Sequence, residues 1–286
     1  MDGKASIIYN GVPFGGAMST LYIVATPIGN VEDISLRALR ILSQVQLIAA
    51  EDTRKTRRLL AAYGIKARLT SYHEHNKEAK LPYLLHRLES EDVALVAEAG
   101  MPGISDPGYE LVVAASERGI PLVPIPGPSV VVTALAVSGL PINQFTYLGF
   151  LPRRKGPRKR LLEQVAEEER TILALEAPHR LVSALEDILE VLGDRRIAVC
   201  RELTKIHEEV FRGTVREAIA HFPEPKGELT LVIAGRRGRS YSFEEAEKQL
   251  RLLYEKGVSA KEAISQVAKA TGASKKQLYR VWLSLR

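Results

Sequence analysis

The first half of the chain alternates short apolar runs with segments of helical periodicity. Four runs are almost continuously apolar, which predicts strands buried on both faces: Leu21–Ala25, Leu47–Ala50, Val93–Ala97 and Leu122–Ile125. Apolar residues at helical spacing separate or follow these runs over 34–42, 53–63, 78–88, 109–118 and 129–137. This alternation predicts a parallel α/β sheet that is covered by helices on both faces.

A second α/β pattern begins near Phe145. Strands are predicted at 145–149, 171–175, 196–200, 207–212 and 228–234, and helices at 157–168, 180–192 and 214–221. The strand at 207–212 is followed by a return strand, which favours antiparallel pairing and a mixed sheet. The break at Gly139–Pro141 separates the two patterns, so we predict one domain over 19–140 and a second over 141–238.

The last part of the chain, 239–286, has the pattern of a small helical module. Three S-x-x-[EQ] sequences that are typical of helix starts lie at Ser242, Ser259 and Ser274, and Gly257 and Gly272 follow the first two helices. The pattern predicts three helices, and the turn at Gly272 is similar to that of a helix-turn-helix. Any three-helix bundle would show the same pattern.

Length and composition fit a globular protein of about two domains plus this module. The chain has 286 residues, of which 45% are hydrophobic and 26% charged, and its single cysteine excludes an internal disulfide. Residues 119–152 carry no charge but contain six prolines, so we expect no membrane span. Residues 1–18 lack the pattern of a secretory signal and are expected to be a tail. These features favour a location in the cytoplasm.

The net charge of +6 is concentrated in two segments. Six of the eight residues in 153–160 (RRKGPRKR) are basic, and 236–286 also has an excess of basic residues. Such segments favour a polyanionic partner such as nucleic acid, although surface Lys and Arg also serve solubility. The predicted RNA-binding residues are Arg153, Arg154, Lys155, Arg158, Lys159, Arg160, Lys275 and Lys276.

Common catalytic signatures are absent, whereas Gly/Pro-rich turns follow three of the predicted strands. The chain has no phosphate-binding P-loop, G-x-G-x-x-G, G-x-S-x-G or H-E-x-x-H sequence. His73 and His75 are the only neighbouring histidines, and no metal site is predicted. The turns at 26–30, 98–108 and 126–129 would meet at the carboxyl edge of a parallel sheet, where ligands bind. Tight turns need Gly and Pro without any ligand, but three such turns favour a binding site.

Ordered motifs along the chain then identify a family. They are TPIGN (26–30), EDTR (51–54), SYHEHN (71–76), AGMPGISDPG (99–108), PGPS (126–129), GFLPRR (149–154), RELTK (201–205) and GELTLVI (227–233). With these motifs the chain resembles the small-subunit ribosomal RNA methyltransferase I family of the tetrapyrrole-methylase superfamily, over 19–286. The resemblance implies 2′-O-methylation of a cytidine in the decoding region of 16S rRNA, within the 30S subunit. It also implies two α/β domains of the class III type, S-adenosylmethionine (SAM) in the cleft between them, and a homodimer.

The converging turns and the resemblance together predict the cofactor site. Its residues are Pro27, Ile28, Gly29, Glu98, Ala99, Gly100, Met101, Gly103, Ile104, Ser129, Val130, Glu228, Leu229 and Thr230. The chain departs from the S-D-A-G-T-P pattern of the family at Ala97, Glu98 and Met101. A longer acid and a lost hydroxyl change the side-chain contacts of this loop more than its backbone contacts.

Methyl transfer to a ribose hydroxyl requires positioning and an acceptor for the hydroxyl proton. The candidates at strand ends are the carboxylates of Glu51 and Glu98, with Arg54 as a residue that binds substrate phosphate. Asp52 is a further candidate acid, but it is equally well explained as the N-cap of the next helix. The sequence does not single out the base.

Two other classes of function stay open from the sequence. A superfamily methyltransferase that acts on a tetrapyrrole or another small molecule would share the loops but has no need of the basic segments. A nucleic-acid-binding protein without enzymatic activity would use the basic module but leaves the three loops unexplained.

Overall fold

The first half of the chain folds into a parallel sheet with helices on both faces. The computed structural model describes residues 19–236 and 243–285, so the predicted tail over 1–18 lies outside it. The strands are β1 (Leu21–Val24), β2 (Leu47–Ala50), β3 (Leu69–Ser71), β4 (Val93–Val96) and β5 (Leu122–Ile125). Their order is β3-β2-β4-β1-β5, and every pair is parallel, as predicted.

Five helices and a short 3-10 turn accompany this sheet. They are Val31–Asp33 (3-10), α1 (Leu36–Gln44), α2 (Thr53–Ala62), α3 (Lys77–Arg87), α4 (Tyr109–Glu117) and α5 (Val130–Ser138). Ile41 of α1 and Leu60 of α2 pack on one face of the sheet. Leu84 of α3 and Leu111 of α4 pack on the other face, so the continuously apolar strands are buried on both sides.

The second half folds into a mixed sheet. Its strands are β6 (Phe145–Phe150), β7 (Thr171–Glu176), β8 (Arg196–Arg201), β9 (Glu209–Thr214) and β10 (Leu229–Ile233). Its helices are α6 (Lys155–Gln164), α7 (Leu181–Leu192) and α8 (Val215–His221), with a 3-10 turn at Pro178–Arg180. The strand order is β6-β7-β10-β8-β9, and only β6 and β7 are parallel among these pairs, which confirms the mixed sheet.

Helix α5 joins the two halves. It follows β5 of the first sheet, but its small apolar side chains pack on β8 and β10 of the second sheet. Ala134 and Leu135 of α5 share a buried cluster with Ala198 and Val232 of those strands. Ile28, from the loop after β1, belongs to the same cluster. The two sheets are therefore connected by a continuous apolar layer.

The described part of the C-terminal segment forms three helices, as predicted. They are α9 (Phe243–Glu255), α10 (Ala260–Thr271) and α11 (Lys275–Ser284), and they bury Leu250, Val267, Leu278 and Trp282 between them. Gly272 has a φ of 71° in the turn between α10 and α11, where a left-handed residue ends the helix.

The helix starts of this module agree only in part with the sequence pattern. The Ser259 hydroxyl accepts from the Glu262 N–H, whereas Ser274 makes no side-chain cap bond, so that capping prediction is wrong. The remaining predicted capping sequence, the first of the three along the chain, begins at Ser242, which lies outside the described residues.

Several predicted boundaries differ from the structure, and one strand, β3, was not predicted. β3 has only three half-buried residues, so it lacks an apolar run that could have predicted it. α1 begins later than predicted because the Ser35 hydroxyl caps it by accepting from the Ala38 N–H at 3.1 Å. α6 begins inside the basic run, with Gly156 and Pro157 in its first turn, where a proline costs no hydrogen bond. In the described residues, no helix is both long and apolar enough to cross a membrane.

Candidate active site

A cavity of about 440 Å³ lies between the two sheets. The loops after β1, β4 and β5 form one wall, and the residues around the end of β7 and the start of β10 form the other. Of the predicted site residues, the cavity brings together Ile28, Glu51, Glu98, Ala99, Gly100, Met101, Ile104, Ser129, Val130, Glu228, Leu229 and Thr230. Turns that are far apart in sequence therefore meet where the parallel strands end.

Three predicted cofactor residues, Pro27, Gly29 and Gly103, do not line this cavity. Gly29 instead packs against the loop after β8, and a Cβ there would lie 2.6 Å from Lys205 Cγ and from Thr204 Oγ1. Gly103 has a φ of 82°, and its backbone lies against Gly108, so it shapes the turn of the loop. At Gly29 and at Gly103 another part of the chain lies close to the backbone, and this explains the glycine at each position.

The loop after β4 is fixed to both domains. Its Gly100 exchanges two backbone hydrogen bonds with Thr26, at 2.9 and 3.0 Å. On the other side of the cavity, Ser105 Oγ lies 2.6 Å from Tyr147 Oη on β6. Ser105 has a φ of 66°, a conformation that costs a non-glycine residue free energy and that is often found at functional sites.

The loop after β8 makes a second connection between the domains. The Asn30 N–H donates to Thr204 Oγ1 at 3.0 Å, beside the close approach at Gly29. Thr204 and Glu202 both have positive φ values, 67° and 50°. Lys205 pairs with Glu202 at 2.9 Å and with Glu228 at 3.2 Å, so its ammonium is occupied in holding this loop.

Three carboxyl groups line the part of the cavity that the first domain supplies. Glu51 Oε2 accepts from the Glu98 N–H at 3.0 Å, and Glu98 pairs with Lys55 of α2. Burial raises the pKa of Glu51, and the nearby Lys55 ammonium partly opposes this rise. Burial and the neighbouring Glu51 charge raise the pKa of Asp106 to about 7. Asp106 is therefore partly protonated near neutral pH and changes charge readily when a cation approaches.

Two polar residues near Glu51 do not line the cavity. Asp52 caps α2, because its Oδ1 accepts from the Arg54 N–H at 2.8 Å and from the Lys55 N–H at 3.3 Å. These backbone bonds lower the pKa of Asp52. The Arg54 side chain is 84% exposed and is not part of the cavity lining. The capping interpretation of Asp52 is confirmed.

Four polar residues of the cavity were not predicted from the sequence, namely Ser105, Asp106, Tyr147 and Glu176. The ISDPG sequence that contains Ser105 and Asp106 was part of a recognised motif, but its spacing does not reveal which side chains are buried. Cys200 also lines the cavity, and burial raises the pKa of its thiol to about 11. A neutral buried thiol is a poor nucleophile, which argues against covalent catalysis by this residue.

The basic run at 153–160 is divided between surface and interior. Arg153, Arg154, Lys155 and Arg160 are exposed, and so are Lys275 and Lys276 in the first turn of α11. Arg158 is buried, because its guanidinium donates to Asp187 Oδ2 at 2.6 and 2.8 Å. The prediction of Arg158 as an RNA-binding residue is therefore wrong. Lys159 is half-buried and pairs with Glu190.

The lining combines carboxyl groups with apolar walls from Ile28, Val130, Leu203 and Leu229. Pockets of this size and composition bind small organic ligands, and the carboxyl groups favour one that carries positive charge. No group of three or more His, Cys, Asp or Glu that could hold a metal ion occurs in 19–236 or 243–285.

Comparisons with known proteins match almost the whole chain. The family model "Tetrapyrrole (Corrin/Porphyrin) Methylases" matches residues 20–219, and the model "RsmI C-terminal HTH domain" matches 242–286. Proteins named "Ribosomal RNA small subunit methyltransferase I" are similar along most of their length. The one from Halalkalibacterium halodurans is 46% identical over 92% of this chain and 94% of its own, and the one from Synechocystis is 47% identical over 94% and 99%.

A solved structure of diphthine synthase covers 80% of this chain and 94% of its own, with a TM-score of 0.59 and 17% identity. At that identity the likeness shows the fold alone.

Proposed function

The chain belongs to the tetrapyrrole methylase family, and on this premise we propose that it methylates the ribose 2′-hydroxyl of cytidine 1402 in 16S rRNA, with SAM as the methyl donor. One observation carries the proposal. The chain contains both the methylase segment and the C-terminal module, and it is over 40% identical to ribosomal RNA methyltransferases along most of its length. A methyltransferase for small molecules has no use for the module, and a simple binding protein has no use for the cavity.

The cavity fits the cofactor by size and by charge. Its volume of about 440 Å³ lies in the range of about 300–1,000 Å³ that is usual for sites of organic ligands. A Cβ on Gly100 would have only Ile28 Cγ2 and Pro128 O nearby, at 3.7 and 3.8 Å, so a side chain here would extend into space that a ligand needs. SAM supplies a methyl group on a positively charged sulfonium, which is the electrophile of the reaction.

The residues of the chain divide the remaining tasks. We assign Asp106 to the cationic part of the cofactor, because a positive charge beside this carboxyl offsets the burial that raises its pKa. Ile28, Val130 and Leu229 exclude water from the reacting groups.

We assign Glu51 as the acceptor of the proton of the attacking hydroxyl, since it lines the cavity, is half-buried and has a raised pKa. Glu98 is held in its ion pair with Lys55 and positions the loop.

The RNA is expected to contact exposed cations outside the cavity. Arg153 and Arg154 lie between β6 and α6, Lys155 and Arg160 lie on α6, and Lys275 and Lys276 lie on the module. Phosphate contacts of this kind fix the register of a nucleic acid without reading its sequence. They also explain why the substrate is expected to be the folded 30S subunit and not a free nucleoside.

Two further parts of the proposal concern assembly and location. We propose a homodimer, as the family resemblance implies, with Ile206 and Leu36, which are 94% and 86% exposed, as candidate contact residues. Sedimentation analysis tests this, and a monomer at micromolar concentration would exclude it.

We also propose that the protein acts in the cytoplasm, where ribosomal subunits are assembled. Fractionation of cells tests this location.

The function is tested by incubating the purified protein with SAM labelled in its methyl group. We expect label in 30S subunits, at the ribose of the target cytidine, and none in free cytidine or in a tetrapyrrole. Label in the tetrapyrrole but not in 30S subunits would favour the small-molecule alternative. Binding of 30S subunits without binding of SAM in calorimetry would favour a protein that only binds nucleic acid.

A further inference from the structure

Helix α2 carries an unusual cluster of positive charge. Its sequence, TRKTRRLLAA, contains four cations and no acid. Arg54, Arg57 and Arg58 are spaced i, i+3 and i+4, so their side chains share one face of the helix, and all three are exposed. Like charges at this spacing destabilise a helix. A cluster that lowers the stability of its own helix suggests a partner that compensates for it.

The protein itself offers little compensation for these charges. Arg54 lies 3.6 Å from Asp52, which already caps the helix. In the part of the chain that the structure describes, neither Arg57 nor Arg58 makes an ion pair within 4 Å. The opposite face of α2 packs against the sheet through Leu60, so the arginine face is directed to solvent.

The position of α2 connects this face with the cavity. The helix begins at Thr53, two residues after Glu51, which lines the cavity, and Lys55 of its first turn pairs with Glu98, which lines it as well. Arg57 and Arg58 follow about one helical turn further, roughly 5 Å along the axis. The arginines therefore lie beside the opening of the cavity, here called its mouth, and not on a remote surface.

Charge is segregated across this mouth. The carboxyl groups of Glu51, Glu98 and Asp106 line the interior, whereas the exposed charges of α2 outside are all positive. A substrate that matches this arrangement places its reacting group inside and negative charges outside. A nucleotide within an RNA strand has this character, because every flanking phosphodiester is an anion.

We propose that the arginine face of α2, formed by Arg54, Arg57 and Arg58, binds the phosphodiesters next to the nucleotide that enters the cavity. This inference rests on the proposed function and assigns to α2 a contact separate from the basic run at 153–160 and from the C-terminal module. Helix α2 exposes no large apolar side chain, which disfavours a protein partner, since protein interfaces have an apolar core.

The test compares two double variants that remove the same charge. Arg57→Gln/Arg58→Gln changes the proposed face, and Lys66→Gln/Arg68→Gln changes two exposed cations in the segment after α2 that leads into β3. Glutamine is a good helix former, and removing like charges relieves repulsion, so both proteins should fold. The affinity for 30S subunits is measured between about 0.05 and 0.3 M salt, with SAM affinity as a second readout.

We expect the α2 variant to reduce the slope of log affinity against log salt by about 2, since each lost phosphate contact contributes about 1. At about 0.15 M salt this corresponds to a loss of roughly 40-fold in affinity, if the electrostatic contribution vanishes near 1 M. The control variant should keep the slope, and both should keep SAM affinity.

An unchanged slope in the α2 variant, or an equal reduction in the control, would overturn the inference. So would weaker binding with an unchanged slope, which would point to a contact with ribosomal protein or with bases. If the wild-type protein neither binds nor methylates 30S subunits, the proposed function itself fails, and this result is distinguishable from the others.

Discussion

Ser105 Oγ lies 2.6 Å from Tyr147 Oη, and this hydrogen bond connects the loop after β4 with β6 across the cavity. Ser105 holds a φ of 66° in doing so. Because the two residues belong to different domains, the bond fixes the width of the cleft that the cofactor enters.

Tyr147→Phe removes this bond and keeps the aromatic ring. A neutral hydrogen bond contributes about 0.5–1.5 kcal/mol, so we expect the Kd for SAM to rise about 3- to 10-fold in calorimetry. Ser105→Gly is the matched variant, since glycine adopts the positive φ freely while the hydroxyl is lost. If SAM affinity is unchanged in both proteins, the bond does not control the cleft.

The raised pKa of Asp106 predicts how SAM binding depends on pH. The carboxyl has a pKa of about 7, so it becomes negatively charged as the pH rises through that value. We expect SAM affinity to increase over the same range in the wild-type protein and to lose this increase in Asp106→Asn, as measured by calorimetry at a series of pH values. An identical pH profile in the two proteins would contradict the assignment.

The same residue predicts a change in stability of defined sign. The folded state binds the proton of Asp106 more tightly than the unfolded chain, whose aspartate has a pKa of about 3.9. The protonated Asp106 carboxyl therefore adds to the free energy of unfolding relative to an ionised one. This contribution is fully present below about pH 4 and is lost as the pH rises through about 7. Without SAM, Asp106→Asn should therefore unfold at a higher temperature than wild type at pH 8, and the difference should shrink as the pH falls.

Glu51→Gln tests the acceptor of the hydroxyl proton. The amide oxygen can still accept from the Glu98 N–H, so the loop should keep its position. Loss of a general base lowers the rate by about 10²- to 10⁴-fold, and we expect this in single-turnover methylation of 30S subunits, with SAM affinity retained. A rate within a factor of two of wild type would remove Glu51 from this role.

Arg158→Ala should unfold the protein more easily and not merely weaken RNA binding. Among the described residues it leaves the buried Asp187 carboxylate with Lys155, 3.8 Å away, as its only cationic partner. Removing one member of a buried ion pair costs about 3–5 kcal/mol. Arg160→Ala, at an exposed position of the same helix, is the control and should leave the urea midpoint almost unchanged. Equal midpoints for the two variants would show that the buried pair contributes little.

The position of the site was predictable from sequence because its loops carry local signals. Gly and Pro residues mark the turns after β1, β4 and β5, and parallel strands bring such turns to one edge. The contribution of the second domain, at Glu228–Thr230, followed from the family resemblance, since no local pattern places β10 beside that edge.

Burial and charge pairing were not predictable in the same way. The pKa of Asp106 is raised first by burial and then by the charge of Glu51, a neighbour 55 positions away in the chain, and no spacing in the sequence reveals either cause. Arg158 was counted with the surface cations, although it lies on the same helical face as Leu162, and both are buried. Arg158 and Leu162 both lie in the helix predicted at 157–168, four positions apart, so helical periodicity could have separated Arg158 from the exposed cations.

The central position of β10 determines when the molecule can become active during its synthesis. β10 is the last strand of its sheet along the chain, yet it lies between β7 and β8 and covers part of α5. The first sheet, with α1 to α4, can therefore fold while the chain is still growing, whereas the layer over α5 has to wait until Ile233 has left the ribosome. A nascent chain released before that point would carry all the catalytic candidates of the first domain but would have no closed pocket for its cofactor.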